Sequence, residues 1–155
     1  MAETIHIRPA NNSDGAAVRE LVSSVLAEFK LPNNRPGTDD DLFDIEAWYD
    51  AHGTHLWVLI EDSTIIGTTA LLRIDEHTCE LRKMYLLPSA RGRGFGSRLV
   101  DFCINEARRL GFHHIQLETA EPLSDAMRLY ESRGFQRTSG PRDDIGSGVC
   151  YVLEL

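Results

Sequence analysis

The sequence predicts an α/β fold of the α+β kind, in which a mixed, mostly antiparallel sheet of six to seven strands is flanked by about four helices. Short apolar runs of strand length alternate with apolar stripes of helical period. Three strand-type runs follow one another with only turns between them, which is typical of an antiparallel meander. Later, a strand, helix, strand order sets two strands parallel. At 155 residues the chain is predicted to form one domain.

The first elements are a short strand ended by Pro9 and a helix capped by the polar run Asn11–Asp14. The stretch from Leu31 is rich in turn formers and predicts a surface loop. Three aspartates, residues 39–41, then precede a second apolar stripe, so we expect carboxylates in the first turn of a second helix. The alternative is that these acids attract a cationic amine.

The remaining elements are predicted from apolar runs and from the turn-forming residues that separate them. We predict strands over 55–60, 65–74, 79–87 and 114–119. We predict helices from Phe95 to Leu110, stopped by Gly111, and over 123–133, and a last hairpin of 135–138 with 149–153.

The stretch most informative about function runs from Glu80 to Gly96. Pro88 ends its strand, and three glycines, Gly92, Gly94 and Gly96, then alternate with other residues as the next helix begins. A helix start carries unpaired N–H groups and partial positive charge, and glycines let an anion approach the backbone closely. With the nearby arginines, this pattern predicts a diphosphate cradle; the basic side chains are Arg91, Arg93 and Arg98.

Two common phosphate-binding motifs do not fit this turn. A dinucleotide fingerprint requires a third glycine where Ser97 stands, and a P-loop requires a lysine that the turn lacks. A purely structural alternative stays open, namely a glycine turn that lets neighbouring elements pack closely.

Composition excludes several other classes. The net charge of −8 argues against broad nucleic-acid binding, and no apolar run has membrane-spanning length. The start of the chain lacks the pattern of a signal peptide, so we expect a cytoplasmic protein. Three cysteines without C-x-x-C spacing predict neither disulfides nor zinc, and the histidines show no metal-ligand spacing, so no metal is expected.

Two motifs carry a resemblance to a known family. Arg91–Gly96 resembles the acyl-CoA loop (Gln/Arg-x-x-Gly-x-Gly/Ala) of the GNAT superfamily of N-acetyltransferases, and Ala126–Phe135 resembles its second block (Ala-x-x-Leu-Tyr-x-x-x-Gly-Phe). The predicted element order is also the family's. The resemblance implies the GNAT fold, a sheet that splays between strands 4 and 5, acetyl-CoA as acyl donor, and a primary amine as acceptor that attacks directly in a ternary complex.

The resemblance also implies roles for individual residues. Tyr130 matches the family's general acid toward the departing thiolate, and Glu80 stands where some members carry a glutamate base, with Glu118 as the second candidate. From the residue pattern alone, Tyr130 is interpreted as a core-packing residue and Glu80 as a carboxylate paired with Arg82 or Lys83. The implied cofactor contacts are Met84, Tyr85, Leu86, Arg91, Gly92, Arg93, Gly94, Phe95, Gly96 and Ser97.

One position departs from the family pattern. Many members carry asparagine seven residues before the tyrosine, but Leu123 stands here, and Ser124 is the nearest polar substitute. That cofactor contact is therefore not expected.

The acceptor and the assembly state stay open. The loops Leu31–Asp41 and Ser139–Gly148 follow no decodable pattern, and the acidic second helix favours a small cationic amine. The alternatives are a protein or peptide N-acetyltransferase, a non-catalytic acyl-CoA-binding regulatory module, and a nucleotide-binding protein. A homodimer is one of the open assemblies.

Overall fold

In the described part of the chain, seven strands form one sheet, and four α-helices lie along the chain between them. The computed structural model describes residues 4–31, 40–120, 124–138 and 148–155. The elements are β1 Ile5–Pro9, α1 Gly15–Glu28, α2 Ile45–Ala51, β2 Leu56–Glu61, β3 Thr64–Arg73, β4 Thr78–Leu86, α3 Phe95–Arg109, β5 His114–Ala120, α4 Ser124–Ser132, β6 Gln136–Thr138 and β7 Gly148–Glu154. The predicted element order and fold class are confirmed.

The sheet has the strand order β1-β2-β3-β4-β5-β7-β6, and β4 with β5 is its parallel pair. Every other neighbouring pair is antiparallel. The helix α3 connects β4 to β5. A parallel neighbour must start at the same end of the sheet as β4, so the chain needs a crossover that brings it back to that end.

The parallel strands β4 and β5 separate part of the way along their length. Register partners run from Thr78 with His114 to Leu81 with Leu117 and then stop, although both strands continue beyond that point. Beyond this point residues 82–86 of β4 and 118–120 of β5 no longer pair with each other, and the two strands stay in the sheet through β3 and β7. This is the splay that the family resemblance implied.

Apolar clusters cover both faces of the sheet. Cys79 and Leu81 of β4 are buried in the same cluster as Val100 of α3 and Tyr130 of α4. Side chains alternate along a strand, so Glu80, between Cys79 and Leu81, points toward the other face. That face is covered by α1 and α2, whose apolar stripes are buried with β2; this second cluster includes Val18, Val22, Ile45, Tyr49 and Val58.

The second helix begins later than the sequence predicted. Asp44 caps α2 by accepting a hydrogen bond from the Ala47 N–H at 3.2 Å, and the helix proper starts at Ile45. Asp40 and Asp41 belong instead to a separate short 3-10 turn, while Asp39 lies outside the described residues. The first-turn role predicted for this aspartate run is therefore wrong for Asp40 and Asp41, because a nearer aspartate is the cap.

Among the described residues, no helix is long and apolar enough to cross a membrane.

The three cysteines are free thiols with unequal exposure. Burial raises the pKa of Cys79 and of Cys103 to about 12, whereas Cys150 is only half-buried. Since the thiolate is the reactive form, we expect a disulfide reagent at neutral pH to label Cys79 and Cys103 about a hundredfold more slowly than Cys150. Kinetic thiol titration checks this, with Cys150→Ser expected to remove the fast phase. Equal rates for all three thiols would contradict the buried positions.

Candidate active site

The glycine turn forms the N-terminus of α3 beside the end of β4. Gly92 and Gly94 have φ of +73° and +83°, a region that side chains other than glycine rarely adopt. A Cβ built on either residue meets no atom within 4 Å, so the space outside the turn is open. The first helical hydrogen bond here is from the Arg98 N–H to the Gly94 carbonyl at 3.1 Å. The N–H groups of the first turn therefore have no acceptor within the helix, which suits an anion at this position.

Gly96 serves a different purpose in the same turn. A Cβ at this residue would lie 3.2 Å from Leu129 Cδ2, so the missing side chain lets α3 approach α4 closely. The structural alternative raised by the sequence, close packing, thus explains Gly96, whereas Gly92 and Gly94 are explained by backbone conformation.

Two of the three arginines at the turn, Arg91 and Arg93, are paired with acids that come from distant parts of the chain. Arg91 donates to Glu28 at the end of α1, with NH1 to Oε2 at 2.5 Å, and also to the Leu86 carbonyl at 3.0 Å. Arg93 forms an ion pair with Glu61 at the end of β2. The bond from Arg91 lowers the pKa of Glu28 below its ordinary value. Much of the arginine charge is thus met by carboxylates, which leaves the backbone N–H groups as the principal anion ligands.

Tyr130 reaches the point where β4 and β5 part. Its side chain comes from α4 and is 5% exposed, and its hydroxyl donates to Met84 Sδ at 3.7 Å. Met84 belongs to the part of β4 that has left β5. Burial raises the pKa of Tyr130 above its ordinary value, with further contributions from Tyr85 and Cys103. The phenol is therefore a protonated donor throughout the neutral range.

Glu80 lies on the opposite face of the sheet from Tyr130. It is 8% exposed, and Oε2 accepts a hydrogen bond at 3.3 Å from Nε2 of Gln116, its register partner on β5. Glu118 lies two residues further along β5, on the same face as Gln116 and beyond the last paired residue. The two candidate bases thus lie on one face of the sheet, Glu80 just before the gap and Glu118 at its start, and the candidate acid lies on the other face.

A buried cluster of charged residues lies next to Glu80, and the sequence reasoning missed it. Asp41 is 1% exposed and accepts a hydrogen bond from the Tyr49 hydroxyl through Oδ2 at 2.5 Å. Its other oxygen lies 3.8 Å from Lys83 Nζ and 4.0 Å from a guanidinium nitrogen of Arg82. Burial and then the Asp41 charge raise the pKa of Tyr49 well above its ordinary value. The available signal in the sequence was three charged residues, Glu80, Arg82 and Lys83, within one strand at the centre of the predicted sheet.

Some predicted features fall outside the described residues. These are Leu123 and most of the two loops that were expected to flank the acceptor; the structure describes the backbone of Ser124 but not its side-chain surroundings. Within the described ranges, no three metal-ligating side chains lie together.

A parallel strand pair that separates beside a glycine-opened helix N-terminus is the arrangement that the family resemblance implied for an acyl-CoA-dependent transferase. The family model of the Acetyltransferase (GNAT) family matches residues 20–135. YjgM of Escherichia coli (strain K12), an uncharacterized N-acetyltransferase, is 31% identical over 147 residues, which cover 92% of this chain and 88% of that protein. The chain therefore belongs to the GNAT acetyltransferase family.

Two further similarities bear on substrates. An L-methionine sulfoximine/L-methionine sulfone acetyltransferase of Salmonella typhimurium is 30% identical over 142 residues, covering 86% of this chain and 81% of that protein. YncA of Salmonella typhimurium, solved with its cofactor acetyl-CoA, superimposes with a TM-score of 0.74 at 26% identity, covering 97% of this chain and 94% of that one. The protein is an acetyltransferase that uses acetyl-CoA as donor.

Proposed function

We propose that the protein transfers the acetyl group of acetyl-CoA to the primary amine of a small metabolite by direct attack within a ternary complex. The observation that carries the proposal is the position of the Tyr130 hydroxyl, which contacts Met84 where β4 has separated from β5. A protonated phenol at this gap is a suitable donor to a departing thiolate.

The donor side of the proposed site is the face of α3 and α4. The first-turn N–H groups of α3 bind the diphosphate, and the open space outside Gly92 and Gly94 admits it. The backbone of residues 84–86 lies beside the pantetheine arm, where one N–H stabilises the developing oxyanion. Tyr130 donates its proton as the carbon–sulfur bond breaks, which produces coenzyme A as a free thiol.

The acceptor side is the face that carries Glu80 and Glu118. A primary amine is protonated at neutral pH, so a base must remove a proton before the nitrogen can form the new carbon–nitrogen bond. Glu80 accepts the first proton directly or through water and then releases it to solvent, and the nitrogen loses its second proton to solvent as the amide forms. The proton that Tyr130 gives up is restored from solvent, so the net reaction releases one proton.

Two observations favour a small acceptor with a cationic amine. The relative from Salmonella typhimurium is named for two small amino-acid derivatives. Glu80 and Glu118 lie on one face of the sheet beside the start of the gap, where their carboxylates attract an ammonium group. Asp41, which the sequence placed among the attracting acids, contributes less than expected because Tyr49 and Lys83 already engage its carboxylate.

A panel of amines tests the proposed function. Purified protein is given acetyl-CoA with amino acids, polyamines, aminoglycosides and lysine-containing peptides, and free thiol is measured. Sustained thiol release with small amines supports the proposal, whereas release with peptides alone supports the protein N-acetyltransferase alternative. Binding of CoA without release under any condition would make the chain a regulatory module. Displacement of CoA by ATP or NAD would instead indicate a nucleotide-binding protein.

Glu80→Gln is expected to lower kcat/KM near neutral pH by about a hundredfold, because general-base catalysis typically contributes factors of this size. The amide oxygen can still accept the hydrogen bond from Gln116, so the fold is retained. The measurement is the pH profile of kcat/KM, with Glu118→Gln as the matched variant. A larger loss in Glu118→Gln than in Glu80→Gln would transfer the role of base to Glu118.

A further inference from the structure

The strand β4 contains a β-bulge between the part that pairs with β5 and the part that has separated from β5. Its register with β3 shifts by one residue between Thr68, which faces Tyr85, and Ala70, which faces Arg82. Lys83 lies at this shift with φ of +55°. Positive φ is uncommon for any residue except glycine and costs free energy, so other interactions must hold this conformation.

Two sets of contacts hold the bulge from opposite sides. On the sheet side, the Thr68 hydroxyl donates to the Lys83 carbonyl at 2.6 Å in a buried position. On the helix side, the Lys83 ammonium lies 3.8 Å from Asp41, which in turn accepts from Tyr49 of α2. The Lys83 side chain is only 5% exposed. The ammonium thus has a buried carboxylate beside it, and the carboxylate is fixed by a buried phenol.

The bulge lies directly before the backbone that faces the gap. Arg82 and Lys83 both direct their side chains toward Asp41, whereas the next residue, Met84, directs its side chain to Tyr130 on the other face. An undistorted strand would place alternate residues on opposite faces, so the extra residue sets the direction of everything that follows it.

We propose that Asp41, Tyr49 and Lys83 act as one positioning unit that fixes the bulge in β4 and thereby aims the backbone of residues 84–86 at the donor thioester. None of the three needs to touch a substrate for this role. The inference rests on the proposed function, because that function places the acyl carbonyl beside residues 84–86.

The predicted effect falls on catalysis more than on donor affinity. Loss of the unit leaves the cradle at α3 unchanged, so the Kd of CoA should stay within about threefold of the wild-type value. A displaced oxyanion donor slows the chemical step, and we expect Lys83→Met and Tyr49→Phe each to lower kcat by about ten- to a hundredfold. Lys83→Arg keeps the charge and should recover most of the lost kcat.

A spectroscopic measurement reports on the bulge independently of turnover. The chain has three methionines, so 13C-methyl labelling of methionine gives a simple spectrum in which Met84→Leu identifies the Met84 signal. The Met84 sulfur lies 3.7 Å from the Tyr130 hydroxyl, so displacement of the bulge changes the chemical shift of the Met84 methyl group. Both Lys83→Met and Tyr49→Phe should move this signal.

The matched control is a second carboxylate that is paired away from the gap. Asp14 is buried and paired with Arg8 at 2.8 Å near the start of α1. Asp14→Asn should lower the Tm without changing kcat, CoA affinity or the Met84 signal.

Two results would overturn the positioning role. One is an unchanged kcat and an unmoved Met84 signal in Lys83→Met and Tyr49→Phe; if Lys83→Met does not fold, the smaller change Tyr49→Phe decides. The other is an equal loss of kcat in Asp14→Asn at a similar loss of Tm, which would mean general destabilisation. If the wild-type protein itself transfers no acetyl group, the proposed function fails, and the methyl signal alone still decides whether the unit holds the bulge.

Discussion

Tyr130→Phe is expected to lower kcat for acetyl transfer by about a hundredfold or more while CoA binds with nearly unchanged affinity, because loss of a general acid removes a contribution of about this size. The substitution removes one hydroxyl whose described partner is the weak acceptor Met84 Sδ at 3.7 Å. The fold should therefore be little affected. The measurement is steady-state kinetics together with calorimetric titration of CoA.

Tyr151 offers the matched control for this variant. It belongs to the same buried aromatic group, and its ring centroid lies 6.2 Å from that of Tyr130. Its hydroxyl donates a hydrogen bond to Glu131 at 3.1 Å. Tyr151→Phe should leave kcat close to that of the wild type. If Tyr130→Phe also turns over at the wild-type rate, Tyr130 is a core residue and the thiolate obtains its proton elsewhere.

Gly94→Ala should weaken CoA binding by about tenfold or more. A Cβ and a changed backbone at the N-terminus of α3 disturb the N–H groups that bind the diphosphate. With φ of +83°, alanine at this position also costs about 1–2 kcal/mol of folding stability. The two effects must be separated, so CoA affinity and thermal unfolding are both measured.

Gly111→Ala is the control that separates the loss of folding stability from the loss of CoA affinity. Gly111 has φ of +87°, and a Cβ built on it also meets nothing within 4 Å, but it lies beyond the opposite end of α3. The two alanine variants should lose similar stability, and only Gly94→Ala should lose CoA affinity. Equal CoA affinity in both variants would mean that the diphosphate does not bind at the N-terminus of α3.

Local patterns in the sequence were sufficient for the elements and for the cradle. The alternation of glycines at 92, 94 and 96 and the helical stripe that follows lie within one short stretch, so the helix start could be located there. The motif around Tyr130 was recognised in the same way. The start of α2 was misplaced because an aspartate run and a single aspartate, Asp44, both satisfy the rule for a cap.

Contacts between distant residues could not be predicted in this way. Arg91 meets Glu28, which is 63 residues away, and Arg93 meets Glu61, which is 32 residues away. No local pattern specifies such pairs, because they depend on which helix and strand ends the sheet brings together. The same holds for the contact between Asp41 and Lys83.

Local sequence patterns were enough to establish the succession of strands and helices, the family, and the residues at the N-terminus of α3. Three features appear only in the folded chain: Glu80 and Tyr130 lie on opposite faces of the sheet, acids engage Arg91 and Arg93, and a bulge at Lys83 redirects β4. Hydrophobic period and backbone preference act within a few residues, whereas faces, charge partners and register are fixed when the whole sheet packs.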